Sequence, residues 1–581
     1  MMQLKTTAAL AALCLAATPA WGAAAAASGP VTDAMLRAPA AGDWLMWRGN
    51  FGAWGYSPLT QITPANVGKL RLVWSRGLPD GRQEGTPLIH DGVMYFPEPS
   101  DQIIAVDAKT GDLLWEYKRK IPDDMKNYVR NTDDNRNLAI YDGMIIDNSV
   151  DDHVFAIDAK TGKLIWETPI ADYHVHPALQ SSGPIVAGGK VISTRGCDPK
   201  GGPEACVITA HDAHTGKELW RFHTIPQKGE PGYDTWGDVP YEQRWHVGAW
   251  MTPSYDPESN LVYIGTSVTS PAPKFALGGV DKTYLYHNST LAIDATTGKL
   301  AWHYQHVVDH WDLDHTMERM IVDTAIAPDP KAVAWINPRL KAGERRRVVT
   351  GIPGKTGIIY TLDAKTGEFL WGRSTVKQTV VSKIDGATGV VTVNPEVIFH
   401  KVGDTALVCP TSAGGRNWQS GAYSPLTKLM FFPMQNTCAQ TTAILNKPDL
   451  GSLYGIRGET ALAPGAKTLG VVEAVSLETG RTAWKYDSRP GVMSLTATAG
   501  GLVFVGDIAG HFHALDQRTG KPLWDVNLGS VVSGTPVSYA VGGKQYIVTS
   551  TGPSNPAAMI SLTPELKVRT DNNIFVFALP D

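Results

Sequence analysis

One phrase recurs seven times along this chain: AVDAKTGDLLW ending at Trp115, AIDAKTGKLIW at Trp166, AHDAHTGKELW at Trp220, AIDATTGKLAW at Trp302, TLDAKTGEFLW at Trp371, AVSLETGRTAW at Trp484 and ALDQRTGKPLW at Trp524. Such self-similarity means that each copy builds one supersecondary unit whose apolar faces are buried by its neighbours. The phrase reads as a strand end, a tight turn at Thr-Gly where glycine supplies φ > 0, and a second strand that buries its Trp. Further strands precede most copies, among them DGVMYFPE, DGMIIDNS, LVYIGTS and GGLVFVGD, with alternating apolar residues bounded by Gly, Asn or Asp. Helical periodicity is absent. Short antiparallel strands with Trp at blade-like intervals predict an all-β chain, an eight-bladed β-propeller with tryptophan-docking repeats; a seven-bladed ring is the competing arrangement. The stretch between Trp371 and Trp484 has room for a blade without the phrase, around AYSPLTKLMFFP. The strand LRLVW, ending at Trp74, is expected to pair with NIFVFAL near the C-terminus and close the ring.

Composition removes several classes. With 43% hydrophobic and 19% charged residues the 581-residue chain is neither disordered nor fibrous. Charges nearly balance, 52 Lys and Arg against 56 Asp and Glu, and Arg345–Arg347 is only a short basic run, so nucleic acid is not an expected partner.

The N-terminus carries Lys5, the apolar stretch AALAALCLAA and small residues near Ala20 and Gly22. This reads as a cleaved secretory signal over residues 1–22, leaving one propeller domain over 23–581. The apolar stretch is shorter than the roughly 20 residues a membrane span needs, and no stable span is expected elsewhere. Cys14 falls in the leader, leaving Cys197, Cys206, Cys409 and Cys438. In an exported chain local spacing favours Cys197–Cys206, closing CDPKGGPEAC, and Cys409–Cys438; four free buried thiols are the alternative. No CxxC pair is present, so metal binding by cysteine is not expected.

The repeat, with the opening WRGNFGAWGYSPLTQITPANVGKLRLVW, resembles the quinoprotein alcohol dehydrogenases, eight-bladed propellers that hold pyrroloquinoline quinone (PQQ) and a divalent or trivalent cation. The resemblance covers essentially the whole mature chain. It implies that Glu84 in GRQEGTP lies near the quinone rim, that Arg136 in DNRN reaches the cofactor, and that Ser181 and Ser182 touch the PQQ carboxylates. Trp250 in GAWMTPSYDP would be the floor under the tricyclic ring, because a flat conjugated cofactor needs a flat, rigid partner. Lys355 in PGKTG would hydrogen-bond the quinone oxygens, and Asn417 and Trp418 in GGRNWQSGAYSP would line the cofactor. In HWDLDHTMERM, Asp312 stands at the family's catalytic aspartate, with Asp314 two residues on. Alcohol oxidation to aldehyde or ketone needs a base for the hydroxyl proton and a hydride acceptor; the resemblance assigns these to Asp312 and to C5 of PQQ, with a metal on the C5 oxygen as Lewis acid. Cys409 and Cys438 are placed like a disulfide of methanol dehydrogenase, in agreement with the local pairing.

Two regions depart from the family pattern. Its vicinal disulfide falls at Arg130 and Asn131, so the rigid lid over the quinone is expected to be missing and the mouth open to bulky secondary alcohols, polyols or polymer alcohols rather than methanol. Of the usual metal ligands, the Glu is matched by Glu204 inside the Cys197–Cys206 loop. Where Asn-Pro-Ala-Pro is usual the chain has Thr269-Ser270-Pro271-Ala272-Pro273, which puts Ser270 at the amide ligand. With Asp312 and Asp314 these hard oxygens point to Ca²⁺ or a lanthanide, the extra charge of Asp314 favouring the trivalent ion. No CxxCH occurs, so no fused c-type haem is expected; electrons would pass to a separate acceptor such as soluble cytochrome c, in the periplasm of a Gram-negative bacterium. The alternative is a non-catalytic propeller scaffold of the outer-membrane assembly type, which would not need Asp312, Lys355 and Trp250 together.

Overall fold

The computed structural model describes residues 29–129, 133–445, 455–554 and 557–581. The leader (1–22) and the Arg130-Asn131 step lie outside the described residues. Eight antiparallel sheets, each built on four strands in meander order, follow one another along the chain. Blade 1 runs from Leu88–His90 through Val93–Glu98 and Gln102–Asp107 to Leu113–Lys118. Blades 2 to 7 start at Ala139–Tyr141, Ile185–Ala187, Ser254–Asp256, Met320–Ile326, Ala422–Ser424 and Val492–Thr498. Blade 8 joins the two ends of the chain: Arg71–Gly77 pairs antiparallel with Asn573–Ala578, Trp74 lying opposite Val576, and Lys544–Thr551 and Val537–Val541 complete the sheet. The expected closure is therefore present. Two five-residue α-helices among the described residues, Asp33–Arg37 and Ala557–Ser561, lie outside the blades; Leu36 of the first is buried in a core cluster, and Met559 of the second packs in the apolar cluster that holds Trp418.

The repeated phrase is the joint between blades. In AVDAKTG the Asp107 carboxylate accepts from the backbone of Lys109 and Thr110 at 2.8 and 2.9 Å, an Asx turn that delivers Gly111 at φ +79°. Gly111 lies against the indole of Trp74 from the preceding blade; a Cβ there would come within 2.7 Å of the ring. The same indole donates through Nε1 to the Ala108 carbonyl at 3.3 Å. The joint repeats as Trp115 to Ala159, Trp166 to Ala213, Trp220 to Ala295, Trp302 to Ala364 and Trp484 to Gln517. Alanine, aspartate, glycine and tryptophan of the phrase thus have separate duties, and each Trp docks on the following blade.

One expectation is corrected. AYSPLTKLMFFP supplies the first two strands of the blade that ends at Trp484, not a blade of its own. The residues between Trp371 and that blade make a hairpin, Val381–Ile384 with Val391–Val393, and Thr405–Val408 joins a three-stranded sheet with Thr437–Ala443 and Ile456–Leu462. The eighth sheet is the closing one, whose docking residue Trp74 lies outside any full copy of the phrase. Both disulfides form as spacing suggested, Cys197–Cys206 and Cys409–Cys438.

Candidate active site

In a ring of blades, the segments that lead into the innermost strands converge on one end of the axis. Glu84, Arg136, Ser182, Trp250, Asp314 and Trp418 each lie a few residues before the first strand of a successive blade, so six distant stretches deliver one cluster. Arg136 is the hub. Its NH2 lies 2.6 Å from Glu84 Oε2, its NH1 donates to the Ser181 carbonyl at 2.8 Å, and its Cζ stands 5.4 Å from the Trp250 ring and 5.7 Å from the Trp418 ring. Burial lifts the Glu84 carboxyl to about 7, against the pull of Arg136. Ser181 and Ser182 both donate to the Trp250 carbonyl, at 3.1 and 2.8 Å. Their hydroxyl protons are spent on positioning the indole, and only their lone pairs face other partners.

The second half of the cluster is built on DLDH. Asp309 caps this turn, accepting from the backbone of Trp311 at 2.7 Å and Leu313 at 3.1 Å. Lys355 closes it: its Nζ lies 2.8 Å from Asp312 Oδ1 and 3.0 Å from Asp314 Oδ2, while its backbone N–H donates to the Asp314 carbonyl at 2.9 Å. That approach requires Gly354, where a Cβ would meet the His315 ring at 2.4 Å and the Asp314 carbonyl oxygen at 2.5 Å. Burial drives the Asp312 carboxyl well above the usual range despite Lys355; for Asp314, Lys355 and His246 outweigh burial and hold it below. Asp312 remains a fifth exposed, Asp314 is 7% exposed. The Lys355 carbonyl accepts from Gly415, which begins the loop carrying Asn417 and Trp418 and so links this half to Arg136. Asn417 braces that loop, donating to Ala413 at 3.1 Å and accepting from Trp418 N at 2.9 Å.

Glu204 is not brought to this cluster. Its carboxylate accepts from Tyr241 at 2.8 Å and Gln227 at 3.0 Å and faces His223, because the Cys197–Cys206 loop folds outward over these side chains. Three residues that sequence reasoning missed are Asp309, Lys274 and His246. A lysine inside the apolar PAPKFAL stretch was the available signal for Lys274, and the D-x-W spacing of an Asx turn for Asp309. His246, at φ +66° with Nδ1 2.6 Å from the Cys197 carbonyl, carried no signal.

Comparison with known proteins decides what this cluster belongs to. The family model described as "PQQ: Glucose/ethanol/alcohol dehydrogenase, beta-propeller domain" matches residues 44–392 and 441–547. The chain belongs to the PQQ-dependent alcohol dehydrogenase β-propeller family. Within that family it is 32% identical over 547 residues to the dehydrogenase subunit of the quinone alcohol dehydrogenase of Komagataeibacter europaeus, covering 88% of this chain and 71% of that one. It is also 32% identical to quinohemoprotein alcohol dehydrogenase ADH IIB of Pseudomonas putida, covering 98% and 81%. The solved structure of ADHIIG from Pseudomonas putida HK5 superposes with a TM-score of 0.84 at 30% identity, over 95% of this chain and 83% of that one. A europium-containing methanol dehydrogenase, at 24% identity and a TM-score of 0.83 over 94% and 99%, shares the fold. As a member of this family the chain is an oxidoreductase acting on CH–OH groups, which sets aside the scaffold alternative.

The residues present fit PQQ. Around the two indoles, Glu84 Oε1, Arg136 Nε and Trp418 Nε1 are buried without a hydrogen-bond partner among the described residues, the mark of a cradle made for a polar ligand. Glu84, Arg136, Trp250, Trp418 and Lys355 would hold the quinone. The implied Ca²⁺ or lanthanide fits poorly. Such ions take six to eight oxygens, whereas Glu204 is turned away, Ser270 offers a hydroxyl in place of an amide, and the Thr269 hydroxyl accepts from buried Lys274. Among the described residues no group of three or more His, Cys, Asp or Glu side chains could hold a metal ion.

Proposed function

We propose that this chain oxidises a primary or secondary alcohol to the aldehyde or ketone, with Asp312 as the base. PQQ, when bound, supplies the electrophilic C5 carbonyl that takes the hydride. The chain's own part is positional and electrostatic. Trp250 and Trp418 frame a flat site, Arg136 and Glu84 fix its rim, and Lys355 fixes Asp312 while presenting an ammonium to developing negative charge. Asp312, partly exposed and set beside a buried lysine, accepts the hydroxyl proton as the C–H bond weakens. The observation that carries this reading is the Lys355 contact to both carboxylates, a geometry that a solvated acidic turn has no cause to build. The Arg130-Asn131 step supports bulky alcohols, polyols or polymer alcohols as substrates.

The two electrons pass to an external acceptor, for which cytochrome c is our reading; a relative 31% identical carries the name lupanine 17-hydroxylase [cytochrome c]. Two disulfides suit the oxidising periplasm, and among the described residues no helix is long and apolar enough to cross a membrane. To test the function, purified protein is loaded with PQQ and offered a panel of alcohols with an artificial dye or ferricytochrome c. Acceptor reduction that needs both PQQ and an alcohol is expected. Absence of reduction across primary and secondary alcohols, with PQQ bound, would overturn the proposal.

A further inference from the structure

The place where a metal ion is implied is already occupied by positive charge from the chain itself. Lys355, 4% exposed, lies against Asp312 and Asp314 together, and the other oxygen of Asp314 accepts from Val268 N at 3.1 Å. One oxygen of Asp312 and both oxygens of Asp314 are thereby engaged. The two further oxygen ligands that the resemblance names are altered or turned away. An amide oxygen reaches one bond further from Cβ than the hydroxyl of Ser270, so a cation seated for asparagine would stand out of its reach. Glu204 is committed to Tyr241 and Gln227. Behind the 268–270 segment Lys274, fully buried, binds the Thr269 hydroxyl and places a second ammonium near Asp309. A divalent or trivalent ion beside Asp312 and Asp314 would meet repulsion from Lys355 that grows with its own charge, at a dielectric too low to screen it.

Resting on the PQQ reading above, we propose that Lys355 is the resident cation of this site and that the chain binds its quinone without a metal ion. An ammonium has three N–H donors; Asp312 and Asp314 account for two, and the third is left for a carbonyl oxygen. A donated hydrogen bond polarises a carbonyl in the same sense as a Lewis acid, with a fixed single charge that needs no supply of metal.

The test measures PQQ affinity by quenching of tryptophan fluorescence in EDTA, in CaCl₂ and in LaCl₃, and metal content after PQQ loading and gel filtration. Dissociation constants within about threefold across the three conditions, with far less than one ion per chain, are expected. Tightening by about tenfold with either ion, or one ion retained per chain, overturns the proposal. Failure to bind PQQ in every condition overturns the PQQ reading itself, and the proposal falls with it. In EDTA, Lys355→Met should weaken PQQ binding by about tenfold or more while Lys355→Arg, which keeps the charge, retains it. Far-UV circular dichroism checks that both variants are folded, and an unchanged affinity in folded Lys355→Met also overturns the proposal.

Discussion

Asp312 and Asp314 are two residues apart on one turn and share one lysine, yet their environments push them in opposite directions. Burial raises Asp312, whereas Lys355, His246 and the Val268 N–H stabilise the charge of Asp314. The same turn therefore holds one carboxylate pushed up and one pulled down, the kind of separation that distinguishes acid–base partners. A base works only when ionised, and the pKa of Asp312 is raised. Thus kcat/KM should be full on the alkaline side and fall as pH drops through an inflection above about 4, the ordinary Asp value. An inflection at or below that value in a pH–rate profile would place the base elsewhere. Asp312→Asn should lower kcat by about 10²–10⁴-fold with PQQ binding retained in a fluorescence titration, because an amide keeps the shape of the turn but cannot take the proton.

At the scale of elements, stability rests on how each indole seats on the next blade. Gly162, at φ +68°, would place a Cβ within 2.7 Å of the Trp115 ring. Gly143, at φ +75°, has open space around its own Cβ position. Both would suffer from alanine at positive φ, but only Gly162→Ala also overpacks a joint. We expect Gly143→Ala to cost about 1–2 kcal/mol and Gly162→Ala about 2–5 kcal/mol, read as the difference in urea midpoint. Equal midpoints would mean that the joint relaxes around the methyl and is not a close-packed seat. Trp371 departs from the six joints described above: it is a buried indole whose Nε1 has no partner among the described residues, and Val333 lies nearer to Gly480 than the indole does.

On the scale of the whole molecule the decisive contact joins residues some five hundred positions apart. Arg71–Gly77 hydrogen-bonds to Asn573–Ala578, and Trp524 of blade 7 packs edge-on against Phe577 at 5.4 Å, so the last strand is held on both sides of the closure. A chain ending at residue 572 would leave Arg71–Gly77 without its partner and the ring open. It is expected to lose its cooperative thermal transition by circular dichroism, and retention of a sharp transition would show that blades 1 to 7 hold the ring unaided. Because the site gathers lead-in segments from successive blades, PQQ binding should be lost together with closure.

Reading the sequence was enough to find the blades, their joints, both disulfides and the closing pair, because these depend on a local phrase or on short-range spacing that each copy repeats. Glu84, Arg136, Trp250 and Trp418, which the resemblance named from short motifs, meet in one cluster, and Lys355 meets Asp312 beside it. The sequence alone misplaced the blade around AYSPLTKLMFFP because a missing phrase looks the same whether a segment forms an extra blade or decorates its neighbours. It put Glu204 at the site because spacing gives no direction, and only the folded Cys197–Cys206 loop shows that carboxylate turned toward Tyr241 and Gln227. The tertiary structure alone decided that one lysine serves two aspartates and that a second lysine is buried behind them. Charge pairing is set by distance in space, and Lys355 and Asp312 are 43 residues apart in sequence but 2.8 Å apart in the folded ring.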